Sequence, residues 1–509
     1  MRAVGYKFVQ DRLGLKLPPV AYPAIVRPVS RVERLPKELA VPAGRAPSED
    51  ALLDHILFAL KHEGTELAVL AAYCDQLEPQ TLLDALRRGP QGQYIRTLCA
   101  VWEGTTGRTL EDLPARVGGH TVPLFDPAIY VTTSPGVPNP RWRVTFNGLG
   151  DWGLCPTIRR TAELDQLLAS DPLGQVLAFL KDASEAQVER VLAWAYLDET
   201  RSSFEIEGER PAASKTEAFA ALLRRATEKQ VLDEAHFVEL QNAAVTSPFA
   251  REASFRNHQN HLHNGAPGAA GVTYLPPPPE MVRPLMASIA RLANSETCPD
   301  LNPLLRAALA SFGFVFVHPF EDGNGRLCRY LAHYALCQSG ALRDGTILPL
   351  STAMKRNETE YLRALQSFSV PTRRLWSVQW IDHDRFTFDF NGHPAVYRYW
   401  DATECATFLC RMALEAVRKD LLEEAFYLAC HDDAVRAVNA RFDIAGSLLS
   451  KLIRMAYAND GKISKNRRKQ YGDRVEPEAF AFIEDQVATI IRRLDEFGAG
   501  HRASDFQQA

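Results

Sequence analysis

Leu301, Leu304, Leu305, Leu309, Phe312 and Phe316 recur at helical spacing, and the apolar pattern then stops at an unbroken polar run. That run reads His318-Pro-Phe-Glu-Asp-Gly-Asn-Gly-Arg-Leu-Cys-Arg329, after which Leu327, Leu331 and Tyr334 resume a shared face. The spacing predicts helix, tight loop, helix. The first helix is apolar enough to be largely buried and ends at His318; the second starts near Asn324 or Arg326. Helical periodicity runs from about Thr161 onward, so the chain is expected to be mainly α.

The loop collects the parts of a phosphate site. Free backbone N–H groups and the positive dipole end of the second helix face it. Gly323 and Gly325 permit the unusual φ of an N–H nest and leave room for phosphate oxygens. Arg326 and Arg329 are three residues apart, on one helix face, where both guanidinium groups reach an anion. Asp322 offers an oxygen to Mg2+ bridging the phosphates. His318 titrates near neutrality and can take a proton from an attacking hydroxyl. Phe320 reads as an apolar anchor. Singly, a histidine before proline is a cap and Asp-Gly-Asn-Gly is a turn; the combination points to a nucleoside triphosphate.

Three stretches organise the rest. Residues 1–160 form an N-terminal accessory region. Its first fifty residues hold Pro18, Pro19, Pro23, Pro28, Pro36, Pro42 and Pro47 and read as an irregular, extended arm. Leu52, Leu53, Ile56, Leu57, Leu60, Leu67, Leu70 and Ala71 then mark helices to about Leu110, followed by loops with a few short strands. Residues 161–375 carry the motif. There, Gly271-Val-Thr-Tyr-Leu275 reads as a strand or hairpin arm, ahead of the stiff Pro276–Pro279. Residues 376–509 are a helical C-terminal region, broken at Asn459-Asp460-Gly461, with a hairpin turn expected at Asn391-Gly392.

Charge and cysteines limit the classes. Among 509 residues, 58 basic and 62 acidic side chains leave a net charge of −4, against wholesale nucleic-acid or membrane binding. No apolar run spans a bilayer and no secretory leader is visible. The nine cysteines form no Cys-x-x-Cys pair and read as reduced thiols of a cytoplasmic protein.

His318 to Arg329 matches the signature His-Pro-Phe-x-Asp-Gly-Asn-Gly-Arg-x-x-Arg, and the chain resembles the Fic family on that ground. Tyr274-Leu275-Pro276-Pro277 is similar to the flap that precedes the Fic core helices. Leu348-Pro-Leu-Ser351 and Glu360-Tyr361 resemble the segment that closes over the nucleotide base. The core resemblance covers about residues 190–370, and the flanks look like those of longer bacterial members. A Fic-type helical core with a short β-hairpin flap and helical flanking domains is the implied fold.

The resemblance implies protein adenylylation, the movement of AMP from ATP to a Ser, Thr or Tyr hydroxyl of a target protein, which can be the chain itself. His318 is then the general base and Asp322 the Mg2+ ligand. Gly323, Asn324 and Gly325 form the anion hole, and Arg326 and Arg329 hold the β- and γ-phosphates. Tyr361 has two readings, a ring against the base or a core filler. Val272, Thr273, Tyr274 and Leu275 would dock the target backbone by strand addition. Ser203-Phe-Glu-Ile-Glu207-Gly208 matches the family's inhibitory pattern, Ser/Thr-x-x-x-Glu-Gly/Asn. The implied brake is a Glu207 carboxylate that competes with the γ-phosphate for Arg329. Members often dimerise, so a homodimer is among the expected assemblies. Two rival readings stand beside this one. The same site would remove AMP if Glu207 positioned a water. Lys462, Lys465, Arg467, Arg468 and Lys469 would make a DNA-binding regulator.

Overall fold

The computed structural model describes residues 2–507 except 115–116, 211, 229, 343–344 and 383–384, and of 498–507 the backbone alone. The chain is mainly helical, with four small sheets among the described residues. It packs into two units, each discontinuous in sequence. One comprises Met1–Ala169, Ala221–Ala341 and Asn357–Cys410; the other Ser170–Ala220, Leu342–Arg356 and Arg411–Ala509. No described helix is long and apolar enough to cross a membrane.

The first unit is built around the motif. The helix Pro303–Val317 is buried along almost its whole length, as its leucines and phenylalanines required. Each fully buried Leu or Phe side chain contributes about 1.5–3 kcal/mol. The helix starts at Asn302, whose side chain accepts from Leu304 N–H at 2.9 Å, with Pro303 in its first turn. Beside it run Pro279–Ala293 and Asn324–Gln338. An aromatic stack fixes one end: Phe237 lies 5.6 Å from Phe314, and Phe255 lies 5.5 Å from Phe320.

The proline-rich start is folded, which corrects the reading of an irregular arm. Gly5–Leu13 is helical, and Ala3–Val4, Ala24–Val26, Glu33–Arg34 and Leu39–Val41 form one four-stranded sheet. The prolines fall between these elements rather than inside them, so each punctuates the chain without breaking a ladder.

Val272–Tyr274 pairs antiparallel with Leu262–His263, giving the expected hairpin. A second hairpin joins Trp376–Asp382 to Arg385–Phe390. Its connection at 383–384 lies outside the described residues. Asn391-Gly392 is therefore not the turn. It follows the last pair, Trp376↔Phe390, and Asn391 N–H donates back to Leu375 O at 2.9 Å.

The regular elements described in the second unit are all helices. The helix Glu185–Ile206 opens on a capping box between Ser184 and Gln187. It packs on Leu350–Arg356, where Glu199, 1 % exposed, accepts from Ser351 N–H at 2.6 Å and Ser351 Oγ at 2.5 Å. Leu422–Asn439, Gly446–Tyr457, Lys465–Tyr471 and Pro477–Gln507 enclose a separate core of Leu449, Leu452, Ile453, Ile483 and Val487.

Candidate active site

His318 caps the buried helix Pro303–Val317 in the left-handed conformation, at φ 50° and ψ 60°. Such a backbone is rare for a residue with a Cβ and costs on the order of 1–3 kcal/mol, so the surroundings must hold it. They do. The carbonyls of the last helical turn, orphaned by the end of the helix, all find donors. Phe314 O accepts from His318 N–H at 2.9 Å, and Phe316 O from the Tyr274 hydroxyl at 2.5 Å. Val317 O accepts from Arg256 at 3.2 Å. Val315 O lies 3.2 Å from His318 Nδ1. A carbonyl only accepts, so Nδ1 carries the proton and the basic lone pair sits on Nε2. That is the tautomer a general base needs.

The loop that follows is pinned by one asparagine. Asn324 Oδ1 accepts from Phe320 N–H at 3.2 Å and its Nδ2 donates to Phe320 O at 2.7 Å. Phe320 is 1 % exposed, the anchor its apolar character predicted. Gly323, at φ 85°, supplies the left-handed turn into Asn324–Gln338. Gly325 differs from expectation: it lies inside the helix and has helical backbone. One left-handed residue suffices to turn the chain, so the second glycine's contribution is its missing side chain at the helix N-terminus.

Asp322 Oδ1 accepts from Gly323 N–H at 2.5 Å and pairs with Arg326 Nη2 at 2.9 Å. Among the described residues both partners use Oδ1, so Oδ2 of this half-exposed carboxylate is the oxygen that can face a cation. A single carboxylate suits Mg2+, which keeps waters and takes phosphate oxygens as its other ligands. Arg326 and Arg329 are each 1 % exposed, their stems packed within the helix bundle.

The remaining predicted residues spread over several elements. Val272, Tyr274 and Leu275 of the flap are buried, and only Thr273 of that strand is exposed. Tyr361, 6 % exposed, stacks on Phe408 at 5.6 Å and meets Phe312 edge-on at 6.3 Å. Of its two readings this packing matches the core filler. Ser203 is buried in the second unit, Glu207 caps the helix Glu185–Ile206, and Gly208 follows at φ 73°. The C-terminal basic run is partly neutralised within its own unit. Glu484 pairs with Arg468 at 2.5 Å and with Lys462 at 3.3 Å, and burial of that carboxylate is outweighed by the Ile463 N–H and these two cations, which hold its pKa down.

Sequence reasoning missed the groups that support the loop. Gln241, fully buried, donates to Asp322 O at 3.2 Å, and Asn260 Nδ2 donates to Phe320 O at 3.0 Å. Arg256 donates to His318 O at 2.9 Å. Gln241 lies in the helix Glu234–Ala244, while Arg256 and Asn260 lie in a stretch without helical periodicity, and no sequence pattern links the three.

Residues 231–336, which run from just before the helix carrying Phe237 into the second motif helix, match the profile of the Fic/DOC family. The segment that carries the motif is thus similar to the Fic/DOC family. It is 35% identical over 104 residues to the protein adenylyltransferase fic-1 of Caenorhabditis elegans, a match covering 19% of this chain and 20% of that one. The same enzyme of Caenorhabditis briggsae gives the same values. The protein adenylyltransferase Fic of Drosophila melanogaster is 42% identical over 67 residues, 13% of this chain and 14% of the relative. The chain thus spans about a fifth or less of the curated relatives it matches. Among solved structures, a Fic-domain signalling protein from Bacteroides thetaiotaomicron is 17% identical with a TM-score of 0.38, covering 52% of this chain and 96% of its own. A Fic-family protein from Desulfovibrio desulfuricans is 18% identical with a TM-score of 0.36, covering 64% and 88%.

Proposed function

We propose that this protein is an adenylyltransferase that moves AMP from ATP to a Ser, Thr or Tyr hydroxyl of a target protein, itself included. One observation carries the reading: a histidine held in the Nδ1–H tautomer stands at the mouth of a helix N-terminus furnished with Asp322, Gly323, Arg326 and Arg329. His318 Nε2 takes the hydroxyl proton as the oxygen attacks the α-phosphorus. The new P–O bond forms as the bond to the β-phosphate oxygen breaks, and pyrophosphate leaves. The N–H groups of Asn324 and Gly325 donate to phosphate oxygens, joined by that of Gly323 once it releases Asp322, while Arg326 and Arg329 neutralise the β- and γ-phosphates. Asp322 would hold Mg2+ through Oδ2, and that ion would supply further charge neutralisation on the phosphates. Such transfers depend on position and charge more than on covalent chemistry.

Residues 161–375 are the functional module in this reading, and the Val272–Tyr274 strand presents the target backbone. Autoinhibition by Glu207 rests on the Ser203-x-x-x-Glu207-Gly208 pattern. Incubation with α-labelled ATP tests both statements. Label should appear on protein, more strongly in Glu207→Gly than in the unaltered chain. Absence of label in both would reject adenylylation, and equal label would reject the brake.

A further inference from the structure

Arg256 lies outside the signature, in the loop Phe255-Arg256-Asn257-His258, and its side chain is 4 % exposed. Its guanidinium makes four hydrogen bonds, all to carbonyls. Nε donates to His318 O at 2.9 Å and Nη1 to His258 O at 3.0 Å. Nη2 donates to Pro277 O at 2.7 Å and to Val317 O at 3.2 Å. Its own backbone N–H donates to Pro319 O at 2.9 Å. Among the described residues no carboxylate pairs with it. Burial lowers its pKa to about 10, with Tyr274 and Glu321 opposing that shift. A buried charge without a counter-ion is expensive unless its donors are used. Here the negative dipole end of the helix Pro303–Val317 and four converging carbonyls take that part.

The position of these carbonyls matters more than their number. Val317 and His318 end the helix that delivers the base. Pro319 begins the loop. Pro277 belongs to the segment leaving the flap strand. One planar fork therefore joins the base to the flap. Asn260 Nδ2 adds a second, longer contact to His318 O at 3.4 Å. A lysine could supply the charge but not the fork.

We infer that Arg256 is a positioning residue of the transfer reaction: it locks the left-handed backbone of His318 and ties it to the flap at Pro277. The inference rests on the adenylylation reading and adds to it. Without the fork, His318 relaxes toward ordinary φ, its ring moves off Val315 O, and the Nδ1–H tautomer is no longer enforced. The phosphate site is built on the other helix and keeps its ligands. Loss of Arg256 therefore lowers kcat and leaves ATP binding in place.

The test uses the full chain carrying Glu207→Gly, with Arg256→Lys and Arg256→Gln added separately. Label from α-labelled ATP gives kcat and KM for ATP. A fall in kcat of about 100-fold is expected, the order of effect for a displaced catalytic group. KM for ATP should hold within about twofold. Ring-15N-histidine spectra supply a readout that needs no activity. His318, assigned by its loss in His318→Ala, should change from a single Nδ1–H tautomer to a mixture. If Arg256 variants do not fold, Asn260→Ala, which removes the second donor to the same carbonyl, should move tautomer and kcat in the same direction. An unchanged tautomer with unchanged kcat would overturn the inference, as would a raised KM at constant kcat. If the parent chain transfers no label, adenylylation itself falls, and the tautomer still decides the role of Arg256.

Discussion

His318 is the one signature side chain whose backbone is strained, and the strain serves its position. The left-handed turn sets Nδ1 over Val315 O, a carbonyl of the helix that His318 ends. His318→Ala removes the base and is expected to lower label transfer from α-labelled ATP by about 100-fold or more. Asn324 has a different job. Its carboxamide closes the loop on both sides of the Phe320 peptide. Asn324→Ala leaves the buried Phe320 N–H without its acceptor, at an expected cost of about 1–3 kcal/mol. Chemical denaturation against the unaltered chain measures it.

The motif is made by two elements with different demands. The helix Pro303–Val317 is specified by apolar residues on every side, and it has to be buried to exist. The helix Asn324–Gln338 is buried on nearly every side although it carries polar residues, and Arg326 and Arg329 are buried with it. The flap strand is short and leans on the first helix through Tyr274. In the second unit, Glu185–Ile206 begins at a capping box, and Ser184→Ala should destabilise that helix by about 1 kcal/mol. Hydrogen exchange in its first turn reads this locally. Element boundaries near the motif were legible because a run of glycine and proline interrupts strong periodicity. The hairpin at 376–390 was misplaced because Asn-Gly is a turn signal wherever it occurs. Cross-strand pairing, which alone tells a turn from a strand end, is not written in the dipeptide.

In the first unit as a whole, stability depends on pH through a carboxyl far from the motif. Glu63 is 4 % exposed and accepts from Tyr6 N–H at 3.1 Å. Burial raises its pKa from 4.5 to about 8, against the hydrogen bond from Tyr6. The folded chain therefore keeps a proton that the unfolded chain releases. Its stabilisation is complete below about pH 4.5 and is lost progressively as pH rises toward 8. The slope is about 1.4 kcal/mol per pH unit for one such group. Denaturation midpoints taken from pH 5 to pH 8 should fall in the unaltered chain, and Glu63→Gln should flatten that decline. Gly5 sets the limit on this arrangement: a Cβ there would lie 1.6 Å from Glu63 Oε1.

Sequence alone determined the mainly helical class, the helix–loop–helix around His318, the Phe320 anchor and the hairpin arm at Val272–Tyr274. Each of these follows from local periodicity or from a residue's own conformational limits, which a chain carries before it folds. Tertiary structure decided what holds the motif in place. Arg256, Asn260 and Gln241 are scattered in sequence and acquire meaning only where carbonyls converge on them. Tyr361 became core because Phe312 and Phe408 surround it, and Gly325 became helical because Gly323 had already made the turn. Contacts between residues distant in sequence have no local pattern, because burial creates both their strength and their partners.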